Sequence, residues 1–367
     1  MKRAPILAAL ALAAACGDTA APGFSTGPAI TSVSASTSGS PTGADTTSTG
    51  PADDSAGSSA STSTSGGTLD VGTVMDFGPV QPPGCKGKVD LLFVISRVHT
   101  MVTEQEQLLA SFPGFIETIE QKLKGFDVHI MTANPDGRWP GFAFCEGGDG
   151  LCSKYYPYCG PHAMGYDCET YAGLATECDE VLGAGLTFNV GAYAANKLCD
   201  LHGGHRYIIS GEPSMPDAFE CIAKVGVSSG SPFLGDAMIA ALSPKLNGPG
   251  GCNEGFLRDD ALLVVVFISD TLDFSPKSYA KQQYEAIIAA KGDPNAVVML
   301  AVVPQPLGDA EPVPGCTYDD DAIPVMGELF SRFSYTFVGD TCAPSYASFF
   351  DAAVDKISEA CGSFIPQ

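Results

Sequence analysis

The chain has 367 residues, with 42 Asp and Glu against 19 Lys and Arg, for a formal net charge of −23. That sign excludes a protein that grips nucleic acid by neutralising phosphates, which needs a basic surface, and it favours cations or basic partners. Length alone suggests about two domains, but the first quarter of the chain has too little apolar content to build a core.

Residues 1–16 read MKRAPILAALALAAAC. Lys2 and Arg3 lead into an apolar run of about a dozen residues, too short for a bilayer span of ~20 and of the length of a secretory signal. The run ends in small residues directly before Cys16, which resembles the lipobox of bacterial lipoproteins, where the Cys becomes the lipidated first residue. The Leu usual three places before the Cys is displaced to Leu12, four before. Ordinary cleavage after residues 13–15 is the alternative. The longest later apolar run, 261–268, has the length of a buried strand. Membrane attachment is therefore expected through a lipid anchor only, at the outer membrane, the cell surface or the periplasmic face.

From 17 to 66, 43 of 50 residues are Ser, Thr, Gly, Ala or Pro. Such a stretch buries too little to offset its conformational entropy, so 17–84 is expected as a disordered tether, with 85–367 as the folded unit. A coil of ~60 residues reaches about 40–45 Å end to end. Setting Cys16 aside leaves 12 of the 13 Cys. This even set suits disulfides in an oxidising compartment. The candidates are Cys85, Cys145, Cys152, Cys159, Cys168, Cys178, Cys199, Cys221, Cys252, Cys316, Cys342 and Cys361.

Within the folded unit, 89–95 (VDLLFVI) reads as a strand buried on both faces. A helix follows over 100–123, with Pro113 expected to kink or split it. Strands are expected at 126–132, 206–210, 261–269, 296–303 and 334–338, and helices at 232–246, 277–291 and 344–360. Alternating strands and helices predict an α/β domain, a mostly parallel central sheet flanked by helices.

The segments VDLLFVISRVHTM and TEQEQLLASFPGFI resemble the opening of a von Willebrand factor A-type domain. ALLVVVFISDTLDFS resembles its central strand and the acidic turn after it. The resemblance is to Gram-negative exported lipoproteins carrying such a domain behind a Ser/Thr-rich tether, and it extends through RYIISGEP, FLRDDALLVVVF and the closing segment from Cys342 to Cys361. It implies ligand binding at the carboxyl edge of the strands, in many members through Mg²⁺ or Mn²⁺ completed by an acidic residue of a partner. The family's first-loop motif is D-x-S-x-S; the matching positions are Ser96, Val98 and Thr100, so the carboxylate is a hydroxyl and the first hydroxyl is lost. Asp270 keeps the acidic turn. The expected site is therefore a degenerate one of Ser96, Thr100 and Asp270, with His99, Ser229, Ser231 and Asp273 bordering it. Metal dependence is expected to be weak or absent, and Asp90 is expected to be structural.

An insertion at about 135–205 holds Cys145, Cys152, Cys159, Cys168, Cys178 and Cys199, with Tyr155, Tyr156, Tyr158, Tyr166 and Tyr171. Local pairing would give three internal bridges and a Tyr-bearing recognition lobe, or else a small satellite core. Cys199, His202 and His205, with Cys159 and His162, offer thiolate and imidazole to zinc. The G-x-S-x-G at 226–230 lacks the strand that a nucleophile elbow needs before it, because 218–224 reads as helix. Asp259, Asp260 and the run Asp319, Asp320, Asp321 read as a solvated acidic face. Together these readings favour a non-enzymatic surface lipoprotein binding a protein or other macromolecule, with no nucleic-acid partner. The alternatives are a structural envelope protein without a ligand site, or a zinc-dependent hydrolase using the insertion.

Overall fold

Three apolar runs, 89–95, 262–268 and 297–303, contain a single charged residue, Asp90. Uninterrupted patterns of this kind suit strands covered on both faces. The computed structural model describes residues 85, 87–98, 100–122, 124–139, 173–191, 193–227, 233–271, 278–304 and 324–363. The strands are β1 (Lys88–Ile95), β2 (Asp127–Thr132), β3 (Phe188–Asn189), β4 (Lys197–Leu198), β5 (Ile208–Ile209), β6 (Leu262–Ile268), β7 (Val297–Val303) and β8 (Tyr335–Asp340). Six of them form one sheet in the order β5-β2-β1-β6-β7-β8, and β3 pairs with β4 apart from it. Within the six-stranded sheet every neighbouring pair is parallel except β2 with β5.

Side-chain alternation divides the core between the two faces. Leu91, Phe93 and Ile95 of β1 join Val264, Val266 and Ile268 of β6 beneath α1 (Val102–Lys122), α2 (Met215–Ala223) and the last helix, Ala347–Ser363. Leu92 and Val94 join Leu263, Val265 and Phe267 beneath α3 (Leu234–Ala241). After the short α4 (Pro244–Asn247), that second face is completed by α5 (Ala280–Lys291) and α6 (Pro324–Phe330), which makes the last helix α7. The expected α/β architecture, a mostly parallel sheet between helices, is thus what the chain adopts. No helix among the described residues is long and apolar enough to cross a membrane.

Several local expectations are corrected. Pro113 does not split α1, which runs unbroken through it. Pro113 is on the exposed side, where water can serve the carbonyl that loses its partner, while Phe112, Phe115, Ile116 and Ile119 hold the other side in the core. The helix expected over 232–246 is two helices. Pro244 drives the residue before it out of helical geometry, and Ser243 sits at φ −68, ψ 145. The strand expected at 206–210 shrinks to two residues paired antiparallel to His129 and Ile130.

Local disulfide pairing in the insertion is overturned for both of its described cysteines. Cys178 bonds Cys252 and Cys199 bonds Cys221, so each ties the insertion to the body of the domain. Asn253 explains the first: it accepts from the Gly185 N–H (2.8 Å) and donates to the Gly183 carbonyl (3.0 Å), seating the segment around Cys178 beside Cys252. Cys85 bonds Cys361, and Cys342 is disulfide-bonded as well. Trp139, Phe188 and Val190 form a small satellite core at the insertion's base. The tyrosine cluster and Cys145, Cys152, Cys159, Cys168 and Cys316 lie outside the described residues.

Candidate functional site

From β1 the chain passes through α1 to β2 on one side, whereas β6 lies on the other. The sheet order therefore reverses between β1 and β6. Open α/β sheets bind ligands at such a switch point, in the crevice beyond the carboxyl ends of the strands. Here that crevice is bounded by residues 96–98 and 269–271, with the first turn of α1 above it.

Ser96 is fully buried and heavily engaged. Its N–H donates to the Ile268 carbonyl (2.9 Å), joining the two strand ends, and its Oγ accepts from the Val98 N–H (3.3 Å). Gln105 donates to the Ser96 carbonyl (3.4 Å) and the Gly226 carbonyl (3.1 Å), tying the loop after α2 to the same floor. Val98 is buried and supplies no ligand atom. Thr100 is exposed at the start of the turn into α1, and the adjacent Met101 accepts the Asp270 N–H on its sulfur (3.1 Å). The structure thus brings Ser96, Thr100 and Asp270 to one edge. His99, Ser229, Ser231 and Asp273 lie outside the described residues, as does Cys16.

Sequence reasoning missed Glu104. Its Oε2 is buried without a hydrogen-bond partner. Burial pushes the carboxyl up to about 6, its own backbone N–H pulls the other way, and the nearby Asp270 carboxylate adds to the rise. Burial likewise raises the Tyr346 phenol, with Glu104, Asp270 and Asp340 each adding negative charge around it. Thr271 Oγ1 is also buried without a partner. The edge is therefore electronegative and lined with hard oxygen atoms. The signal was present in the sequence, since Glu104 falls in the first helical turn after the loop, where a side chain can lean back over the strand ends.

Arg97 was also missed. It is fully buried at the end of β1, donating to Asp136 (3.1 Å), the Arg138 carbonyl (3.2 Å) and Asn189 (2.9 Å). Burial lowers its pKa, and Asp136 followed by Asp179 opposes that. Asp179 is in turn paired with Arg206. This network roots the insertion beside the crevice.

No family model matches the chain, and no curated protein matches it either.

Other residues singled out from the sequence fall elsewhere. Asp90 is fully buried at the opposite end of β1 and accepts from the backbone N–H and Nε of Arg258, both at 2.8 Å, as suits a structural role. Cys199 is oxidised and offers zinc no thiolate, His205 stacks on Tyr207, and Cys159 and His162 lie outside the described residues. No group of three or more His, Cys, Asp or Glu side chains that could hold a metal ion occurs among the described residues. Before Gly226 stands α2, not a strand. Asp260 is not simply solvated: it pairs with Lys88 at 2.9 Å. Asp319, Asp320 and Asp321 lie outside the described residues.

Proposed function

We propose that this is an exported, lipid-anchored binding protein of the von Willebrand factor A type, holding a macromolecular partner at the β1/β6 crevice without catalysing a reaction. The observation that carries this reading is the Glu104 carboxylate, left with an unbonded buried oxygen beside Asp270 at the switch point. A group kept at a cost to stability, in the crevice where this sheet topology binds ligands, is what a recognition site requires. Its complement is a basic side chain of the partner. Disulfides at Cys85, Cys178 and Cys199 support an oxidising compartment.

The A-type resemblance implies Mg²⁺ or Mn²⁺ at this edge. The chemistry of the donors fits a hard cation. Glu104 and Asp270 would supply carboxylates, and Ser96, Thr100 and Thr271 hydroxyls. An ion there would compete with the partner's basic side chain for these carboxylates, and with Val98 where a hydroxyl belongs it is not the basis of binding.

The test is site-specific photo-crosslinking in cells producing the full chain. A crosslinker at position 100 should give a discrete adduct that survives chelator and disappears with Asp270→Lys. A probe at position 295, before β7 at the other end of the sheet, should give none. An adduct from 295 alone, or one from 100 indifferent to Asp270→Lys, would sink the reading.

A further inference from the structure

A second surface stands apart from the crevice, where the segment after β4 faces α2. A cleft of about 330 Å³ opens there, at the lower end of the ~300–1,000 Å³ typical of ligand pockets. The buried Cys199–Cys221 disulfide lines it and fixes its two walls to each other. Leu198 stands at the cleft 52% exposed, and Leu201 continues the apolar wall. Around them are three carboxylates, Asp200, Glu212 and Asp217, against one ammonium, Lys197. Glu212 spends one oxygen on the His202 N–H (3.0 Å) and Asp217 one on the Ser214 hydroxyl (2.7 Å). None of the three forms an ion pair. The nearby Lys224 is taken by Glu220.

A smaller cleft of about 120 Å³ lies between α1 and α2, walled by Leu109 and Phe112, and it too is lined by Asp217. The helix α2 is thus a ridge with an apolar footing on either side and a carboxylate shared by both. We infer that this ridge is a recognition site for an extended, basic segment of a partner protein. A Lys or Arg of that segment meets Asp217 and its neighbouring carboxylates, and the apolar side chains flanking it cover Leu198 and the wall between α1 and α2. Charge complementarity selects this occupant: an unpaired acidic rim on a chain of net charge −23 repels acidic segments and leaves a purely apolar one with desolvated carboxylates. The disulfide holds the cleft in shape before binding, which lowers the ordering cost. This inference does not depend on the β1/β6 reading, since no residue of the crevice lines either cleft.

The test uses the oxidised full-length protein and fluorescence anisotropy with an end-blocked Leu-Lys-Leu-Lys-Leu peptide, its Leu-Glu-Leu-Glu-Leu counterpart serving as control. The lysine peptide should bind at least about tenfold more tightly than the glutamate one at physiological salt. Asp217→Asn with Asp200→Asn should weaken it by roughly tenfold, and Leu198→Ser by a few-fold. These residues are at the surface, so thermal melts should be nearly unchanged. Asp351→Asn, on the exposed side of α7, should leave affinity as it is. Absence of binding at ~1 mM, or equal weakening by Asp351→Asn, overturns the proposal, the latter because it reduces the effect to the overall charge of the chain. Asp270→Lys should lose the crevice partner and keep this peptide, so the two readings fail separately.

Discussion

A guanidinium with no solvent exposure persists only when acceptors surround it, and Arg97 has found three, on Asp136, Arg138 and Asn189. Removing the charge leaves the fully buried Asn189 Oδ1 without its donor and Asp136 with only the Arg138 N–H. Arg97→Met should therefore cost about 3–5 kcal/mol, read by urea denaturation of the oxidised protein, with Arg97→Lys recovering only part because an ammonium cannot span both partners. A loss under ~1 kcal/mol would mean that the insertion is rooted by its disulfides alone. Glu104 has the opposite sign. Its folded pKa of about 6 exceeds the ordinary 4.5. Between those values the folded protein still holds a proton that the unfolded chain has released. Stability from this group therefore falls as pH rises through that window and stays lower at neutrality. Glu104→Gln should raise the melting temperature at pH 7 by a few degrees, about 1 kcal/mol after allowing for its partial exposure, and change little at pH 4. An equal shift at both pH values would show that the carboxylate's charge is not what costs.

At the scale of elements, what was legible in the sequence is what a long apolar pattern determines alone. The runs ending at Ile95, Ile268 and Val303 became strands buried on both faces, and the apolar spacing over 108–119 became one side of α1. The strand ends and short elements were less legible because local geometry decides them. Ser243 was forced extended by Pro244, and β5 kept only the two residues that reach β2. Cysteine pairing was hidden for a different reason: it depends on which segments meet in three dimensions. The insertion turns at Gly183, whose φ of +78 and close approach to the Ala241 N–H leave no room for a side chain, and that turn carries Cys178 towards Cys252 and away from its sequence neighbours. The candidate site was half legible for the same reason. Ser96, Thr100 and Asp270 lie on segments whose strands announce themselves, whereas Glu104 meets Asp270 only where the fold sets the first turn of α1 near the end of β6, and Arg97 is held by loops about 40 and 90 residues further along the chain.

The described domain is closed on itself at Cys85 and Cys361, whose Cα atoms are 4.8 Å apart although 276 residues separate them in sequence. Cys85 precedes β1, at the centre of the sheet, and Cys361 lies in the last turns of α7, which packs with α1 on one face. A bridge across so long a loop removes much of the freedom of the unfolded chain, and native disulfides of this kind contribute about 2–5 kcal/mol. The bridge also decides how a load is carried. A pull entering at residue 85 is shared between β1 and α7, so β1 cannot be drawn from between β2 and β6 until α7 has moved as well. Replacing both residues, Cys85→Ser with Cys361→Ser, should lower the melting temperature of the oxidised protein by roughly 5–15 °C for a domain of this size. Hydrogen exchange should increase first in the last turns of α7, where Ala360 and Cys361 lose their anchor, and only later in β6 and β7, which are buried on both faces. Loss of protection starting in β7 would place the weak point in the sheet and leave the bridge an ornament of the termini; an unchanged melt would mean that the packing of Phe350, Val354 and Ile357 against the sheet holds α7 without covalent help.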